Sequence, residues 1–170
     1  MTSLLADTRA RLLALVERVP PQLRDRRPAP HRWSVAEILE HLARVDSGVA
    51  RLFTTRGATA PAEPSPDLER AQYTSAHVAR VLDRNLRIEA PERIRPTEGI
   101  TWQEALKQLH AARVQLEGAI VAAHPEALDR VTHVHPVIGP LVLRGWIDFT
   151  AHHEARHTAQ IAEIAEQLQA

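Results

Sequence analysis

Residues 141–168 have the sequence LVLRGWIDFTAHHEARHTAQIAEIAEQL, and this stretch carries the pattern that decides the fold. A stripe of positions recurs every three or four residues, at Trp146, Phe149, His153, His157, Gln160, Ile164 and Leu168. Such spacing matches the 3.6-residue period of an α-helix and places these side chains on one face. The stretch therefore predicts a long amphipathic helix whose striped face packs against other helices.

Three further segments, residues 5–19, 38–55 and 102–123, carry apolar stripes with the same period. Four long amphipathic segments without a competing strand pattern predict an all-α protein with the architecture of a four-helix bundle. A chain of 170 residues fits a single domain with one proper core, so we expect residues 1–170 to form one bundle.

Capping signals mark the starts of two of these helices. Ser34 stands three residues before Glu37, and Thr101 stands three residues before Glu104. In such a capping box the hydroxyl and the carboxylate each accept a hydrogen bond from the other residue's backbone N–H. Trp33, just before the first box, is expected to pack on the helix that follows as a hydrophobic staple.

The connections between the helices are marked by proline. Residues 56–100 predict a long excursion between the second and third helices, with a weaker helical pattern over residues 67–86. Residues 124–139 are rich in histidine and proline and predict a loop.

Composition limits the classes of function. The chain has 21 Lys plus Arg against 21 Asp plus Glu, which argues against a partner that is nucleic acid. It has no cysteine, so disulfides and thiolate metal ligands are excluded, whereas ten histidines are available. No segment has the roughly 18 consecutive apolar residues of a membrane span, and the N-terminus lacks a signal-peptide pattern. We therefore expect a cytoplasmic protein with no membrane partner.

Three histidines form a candidate metal site. His153 and His157 are four residues apart and so leave one face of the last helix, at positions where its stripe calls for apolar side chains. A buried imidazole costs free energy unless its nitrogens find partners, and a metal satisfies one nitrogen on each ring. His41 borders the stripe of the second helix and can face them. Three histidines with an open position are typical of catalytic zinc, whereas hydrogen-bonded core histidines are the alternative.

Other residues are weaker candidates. His153 to His157 match the H-E-x-x-H pattern, in which Glu154 would be a general base. Only 13 residues follow His157, which leaves little room for the usual third ligand of a zinc protease. Arg113 interrupts an apolar stripe, and it either extends to solvent from the core's edge or binds a carboxylate above the metal. His133 and His135 form either a ligand pair or part of a loop near the bundle mouth.

Three blocks of sequence resemble the DinB-like superfamily of four-helix bundles. The first is Trp33-Ser-Val-Ala-Glu-Ile-Leu-Glu-His41-Leu, and the second is Glu89-Ala-Pro-Glu-Arg-Ile-Arg-Pro96 with Thr101-Trp-Gln-Glu-Ala. The third is His135-Pro-Val-Ile-Gly-Pro-Leu followed by the segment from Trp146 to Ile161 with its H-x-x-x-H motif.

The resemblance implies an up-down-down-up bundle and a divalent metal, such as zinc, nickel or iron, on His41, His153 and His157. The group includes bacterial low-molecular-weight-thiol S-transferases, but it has no single reaction. The resemblance also makes Glu154 less distinctive, because this position is often polar in the group without being a shared base. For the oligomeric state, the resemblance leaves both a monomer and a homodimer as alternatives.

Three hypotheses follow from these residues. The first is a metal-dependent transferase in which the metal lowers the pKa of a low-molecular-weight thiol, which then attacks a small electrophilic substrate. The second is a hydrolase in which the metal activates water, with Glu154 as base. The third is a stress-response or binding module with a structural metal. An open coordination position favours an enzyme, whereas a fourth protein ligand favours the structural role.

Overall fold

A computed structural model describes residues 3–169, in which four long helices and two short ones account for most of the chain. The helices are α1 (Ser3–Arg18), α2 (Val35–Arg56), α3 (Ser75–Leu82), α4 (Trp102–Ala122), α5 (Pro125–Arg130) and α6 (Leu143–Gln169). Two strands, β1 (Thr132–His135) and β2 (Gly139–Val142), form an antiparallel hairpin between α5 and α6. Within residues 3–169, no helix combines the length and apolar composition needed to cross a membrane.

Helices α2 and α4 pack side by side and run in the same direction. At their C-terminal ends, the His124 N–H donates to the Gly57 carbonyl at 2.8 Å. At their N-terminal ends, Trp102 N–H donates to the Asp25 carboxylate at 2.7 Å, and Ala36 N–H bonds the carbonyl of the adjacent Arg24. The long excursion between α2 and α4 therefore brings the chain back to the end of the bundle where α2 begins.

Helix α1 runs against these two helices and alongside α6. Leu5, near the start of α1, shares one core cluster with Phe53 at the end of α2. Val16, near the end of α1, shares a second cluster with Ile38 at the start of α2 and Ile164 near the end of α6. The four long helices thus run up, down, down and up in chain order.

The first predicted capping box is confirmed and the second is only half formed. Ser34 Oγ accepts from the Glu37 N–H at 3.2 Å, and the Glu37 carboxylate accepts from the Ser34 N–H at 2.8 Å. Thr101 Oγ1 accepts from the Glu104 N–H at 3.4 Å, without a return bond. The sequence therefore predicted where both helices begin, but it predicted both capping hydrogen bonds correctly for α2 alone.

The prediction that residues 124–139 form a loop is wrong, because this segment contains α5 and strand β1. His124 caps α5 and Pro125 fills its first position, which suits a helix start. The strands have four residues each, too few to show an alternating pattern. Gly139, with φ of +86°, takes a backbone conformation that side chains rarely adopt and lets the hairpin turn.

The predicted helix over residues 67–86 is confined to α3. Residues 68–70 form a single 3-10 turn, and the segment that follows lies along the hairpin, where the Ala71 carbonyl accepts from the Val142 N–H at 2.9 Å. Tertiary hydrogen bonding of this backbone outweighs the weak helical preference of the segment.

Candidate metal centre

Three histidines from two helices converge in the described structure. His41 of α2 and His157 of α6 are buried, and His153 of α6 is partly exposed. His153 Nε2 lies 3.4 Å from His41 Nε2 and 3.2 Å from His157 Nε2. One nitrogen from each ring lies within 4.8 Å of the others. The structure thus brings together the three residues that the sequence predicted as ligands.

These separations fit a metal ion. Zinc binds imidazole nitrogen at about 2.0–2.1 Å in tetrahedral geometry, which sets two ligand nitrogens roughly 3.3 Å apart. The distances of 3.2 and 3.4 Å from His153 Nε2 agree with that spacing. Two of the three nitrogen separations therefore already match those of a divalent metal site, and all three donor atoms lie within 4.8 Å of one another.

The outer nitrogens of two rings are held by hydrogen bonds. His41 Nδ1–H donates to the Ile94 carbonyl and His157 Nδ1–H donates to Gln160 Oε1, both at 2.8 Å. With Nδ1 protonated, the Nε2 atom of each ring carries a lone pair. His153 can donate a proton to only one of them, so at least one lone pair would face another nitrogen. A cation that accepts all three lone pairs removes this conflict.

Burial favours the neutral form of all three imidazoles. It lowers the pKa of His41, and it lowers those of His153 and His157 well below the ordinary histidine value. The neighbouring imidazoles lower the pKa of His153 and His157 further, because adjacent positive charges repel. Metal ligation requires neutral imidazole, so the site is prepared to bind a metal.

A buried glutamate positions the backbone group that orients His41. The Glu40 carboxylate accepts hydrogen bonds from the Thr97 N–H at 2.5 Å and from the Thr97 hydroxyl at 3.0 Å. Arg44 pairs with the same carboxylate at 2.7 Å. These bonds tie α2 to the segment that carries Ile94, so the carbonyl that fixes the His41 ring is itself held in place.

Aromatic rings pack around the histidines. The Trp33 ring centroid lies 4.9 Å from that of His41 and 6.5 Å from that of His157. The Phe149 ring lies 5.4 Å from His153, whose buried Nδ1 has no hydrogen-bond partner within residues 3–169. The sequence predicted Trp33 only as a staple, whereas the structure also makes it a wall of the site.

An open cleft of about 1110 Å³ lies over this centre, with His41, His153 and His157 among its lining residues. The hairpin supplies part of its wall through His133 and His135. His135 packs on Phe149 with ring centroids 4.4 Å apart, and burial, the dominant cause, lowers its pKa to about 4. Both histidines line the cleft, but they lie in strand β1 and not in the predicted loop.

Glu154 and Arg113 lie in a buried ion-pair cluster and not on the cleft. Glu154 is 1% exposed, and its Oε2 lies 2.7 Å from Arg9 Nη2 and 2.6 Å from Arg113 Nη2. Arg113 is 5% exposed and also pairs with Asp46 at 2.9 Å, so the expectation that it extends from the core's edge is wrong. Two guanidinium groups therefore bind the Glu154 carboxylate, which the H-E-x-x-H pattern would require as a general base.

Gln160 supports the site from the same helix face as His157, which lies three residues earlier in the chain. Periodicity alone did not mark it as a functional residue. Replacing it by leucine removes the acceptor for His157 Nδ1–H. We expect metal affinity to fall about 10- to 100-fold, the usual effect of losing such an outer partner. Competition with a metal-binding dye measures this change. Gln167→Leu, at an exposed position of the same helix, is the matched control and should bind metal like the wild type.

Comparisons with known proteins bear on the family and the fold of the chain. The family model described as the DinB superfamily matches residues 4–161. The "Uncharacterized protein YuaE" of Bacillus subtilis (strain 168) is 33% identical over 146 residues, which cover 85% of each chain. The solved structure titled "Crystal structure of TT2238, a four-helix bundle protein" aligns over 94% of both chains, with a TM-score of 0.62 and 23% identity. That structural likeness shows the shared fold.

Proposed function

The chain belongs to the DinB superfamily, and on that basis we propose that it is a metal-dependent transferase that joins a low-molecular-weight thiol to a small electrophile. The observation that carries the proposal is the convergence of three neutral imidazoles at an open cleft. Imidazole ligands suit zinc, nickel and iron. A divalent metal there would supply a positive centre that lowers the pKa of a thiol or water bound to it.

The chain's own residues account for binding and orientation. His41, His153 and His157 would hold the metal, while Ile94 and Gln160 fix the orientation of two of the rings. The rings of Trp33 and Phe149 pack against the histidines and offer apolar contact to an electrophile. The remaining side of the centre faces the cleft, which leaves room for both reactants.

The charges around the site favour a thiol over water as the nucleophile. Of the described residues, only two that line the cleft carry a carboxylate, and Glu89 and Glu163 are each paired with an arginine. Glu154, the base that a hydrolase would need, is bound by two guanidinium groups inside the bundle. A thiol ionises more readily than water and needs no strong base beside it. The absence of cysteine from the chain is consistent with an external thiol.

The test is an assay of metal-loaded protein with a panel of bacterial thiols and a chlorinated aromatic electrophile. The sulfur forms a bond to the aromatic carbon, chloride leaves with the bonding electron pair, and the thiol proton passes to solvent. We expect turnover to require both metal and thiol, and to be lost in His41→Ala. His110→Ala, which changes an exposed histidine outside the cleft, should keep full activity. Hydrolysis without thiol would contradict the proposal.

A further inference from the structure

The cleft is strongly basic although the whole chain is neutral. It is lined by two glutamates and by ten of the chain's 21 Lys and Arg residues, namely Arg32, Arg44, Arg51, Arg56, Arg80, Arg84, Arg87, Arg93, Arg95 and Arg156. A concave surface lined by charges of one sign focuses its electric field on the ligand that enters it. The charge distribution thus distinguishes this cleft from the rest of the molecule.

Four of these arginines already have partners. Arg44, Arg84 and Arg95 pair with glutamates, and Arg156 donates to backbone carbonyls of residues 81–86. The others make no ion pair within the described residues, and they are Arg32, Arg51, Arg56, Arg80, Arg87 and Arg93. Positive charge therefore accumulates in the cleft without protein counter-ions.

Two of these arginines, Arg56 and Arg93, line the cleft together with the hairpin histidines His133 and His135, and they come from different parts of the chain. Arg56 ends α2, and Arg93 lies in the 3-10 turn of residues 92–94. Burial is the main cause that lowers the pKa of His133 and of His135; the Arg56 and Arg93 charges lower the pKa of His133 further, and the Arg93 charge does so for His135. Arg93 also directly precedes Ile94, whose carbonyl holds His41. An anion held at this wall would lie beside the three-histidine centre.

We propose that this cleft binds a small molecule carrying at least two negative charges, as carboxylate or phosphate groups, and that Arg56 and Arg93 are its principal anchors. Guanidinium groups bind either kind of anion through paired, charge-assisted hydrogen bonds. A small molecule fits better than a nucleic acid, because the arginines line a recess that ends at partly buried imidazoles. Assigning this anion as the thiol or the electrophile rests on the proposed function, whereas its binding does not.

The experiment compares succinate, inorganic phosphate and chloride at matched ionic strength, using calorimetry and thermal melting of metal-loaded protein. Wild type should bind succinate or phosphate and melt at a higher temperature in its presence, because a ligand that binds only the folded state stabilises it. Arg56→Gln/Arg93→Gln should bind at least tenfold more weakly, on the scale of one lost charge-assisted bond. Arg11→Gln/Arg18→Gln changes two exposed arginines of α1 and should bind as the wild type does.

The arms of the experiment separate the possible results. A larger response to succinate assigns the anion to carboxylates, and a larger response to phosphate assigns it to phosphates. If neither anion exceeds chloride, or if the α1 control loses binding equally, the proposal is overturned. The same titration of wild type from which a chelator has removed the metal must retain anion binding, because loss there would mean coordination to the metal. Anion binding without thiol turnover would reject the proposed transferase alone, and turnover without anion binding would reject the arginine anchors alone.

Discussion

Purified His153→Ala is expected to retain little or no divalent metal. His153 lies between the other two ligands, with its Nε2 atom 3.4 Å from that of His41 and 3.2 Å from that of His157. Replacing it by alanine leaves only two imidazole nitrogens to bind the metal. The loss of affinity should exceed the roughly 10- to 100-fold effect of removing an outer hydrogen-bond partner. Elemental analysis of the purified protein, followed by titration against a chelator, measures the change.

A matched substitution makes this result specific. His110 is exposed on α4, so His110→Ala should leave the metal content unchanged. His77 and His124 are less suitable controls, because their Nδ1 atoms accept hydrogen bonds at the starts of α3 and α5. Chelator should lower the melting temperature of wild type but not of His153→Ala, since only a bound metal adds stability by mass action. An unchanged metal content in His153→Ala would show that the three histidines are not the site.

The long helices and the ligand histidines could be predicted because their signals are local. Helical spacing places His153 and His157 on one face whatever surrounds them. The capping box at Ser34 locates the start of α2, and from that start the face on which His41 lies follows. The stripe from Trp146 to Leu168 is long enough to tolerate polar substitutions, so the pattern in α6 persists although histidines replace apolar residues.

The supporting parts of the site had no local signal. Ile94 acts through its backbone carbonyl, and any residue there has such a group. Trp33 contacts His41 only because the chain before α2 folds over the ring. The arginines of the basic cleft come from α2, α3, the 92–94 turn and α6, so no single stretch of sequence shows them as a cluster. The hairpin depends on pairing between β1 and β2, whose strands are too short to show a period.

The pairing of the buried charges was also beyond sequence analysis, although Arg113 interrupts the apolar stripe of its helix. Arg9 of α1, Asp46 of α2, Arg113 of α4 and Glu154 of α6 meet between the two apolar clusters of the core. Two positive and two negative charges therefore balance, with one supplied by each long helix. The arginines also donate to carbonyls of α1 and α4, which satisfies further guanidinium N–H groups.

Arg113→Met is expected to destabilise the protein by about 3–5 kcal/mol, because it leaves Asp46 and Glu154 with a single buried arginine between them. Methionine keeps most of the hydrocarbon volume of the arginine side chain. The decrease in the free energy of unfolding therefore reflects the uncompensated carboxylate charge more than a cavity. Urea unfolding followed by circular dichroism measures the difference. Val114→Met, at the next and exposed position of α4, should change the free energy of unfolding by no more than about 0.5 kcal/mol.

Replacing all four buried charges should affect the stability of the protein differently from removing one of them. The variant Arg9→Met/Asp46→Leu/Arg113→Met/Glu154→Leu removes all four charges together, and it is expected to be far more stable than Arg113→Met alone. Apolar replacements of complete buried ion-pair groups are often neutral or stabilising, since the cost of desolvating the charges disappears with them. Metal content should survive in this variant, because none of the four residues lines the cleft over the histidine centre. If the quadruple variant is less stable than Arg113→Met, the four charges contribute net stability to the fold, and their role extends beyond mutual compensation.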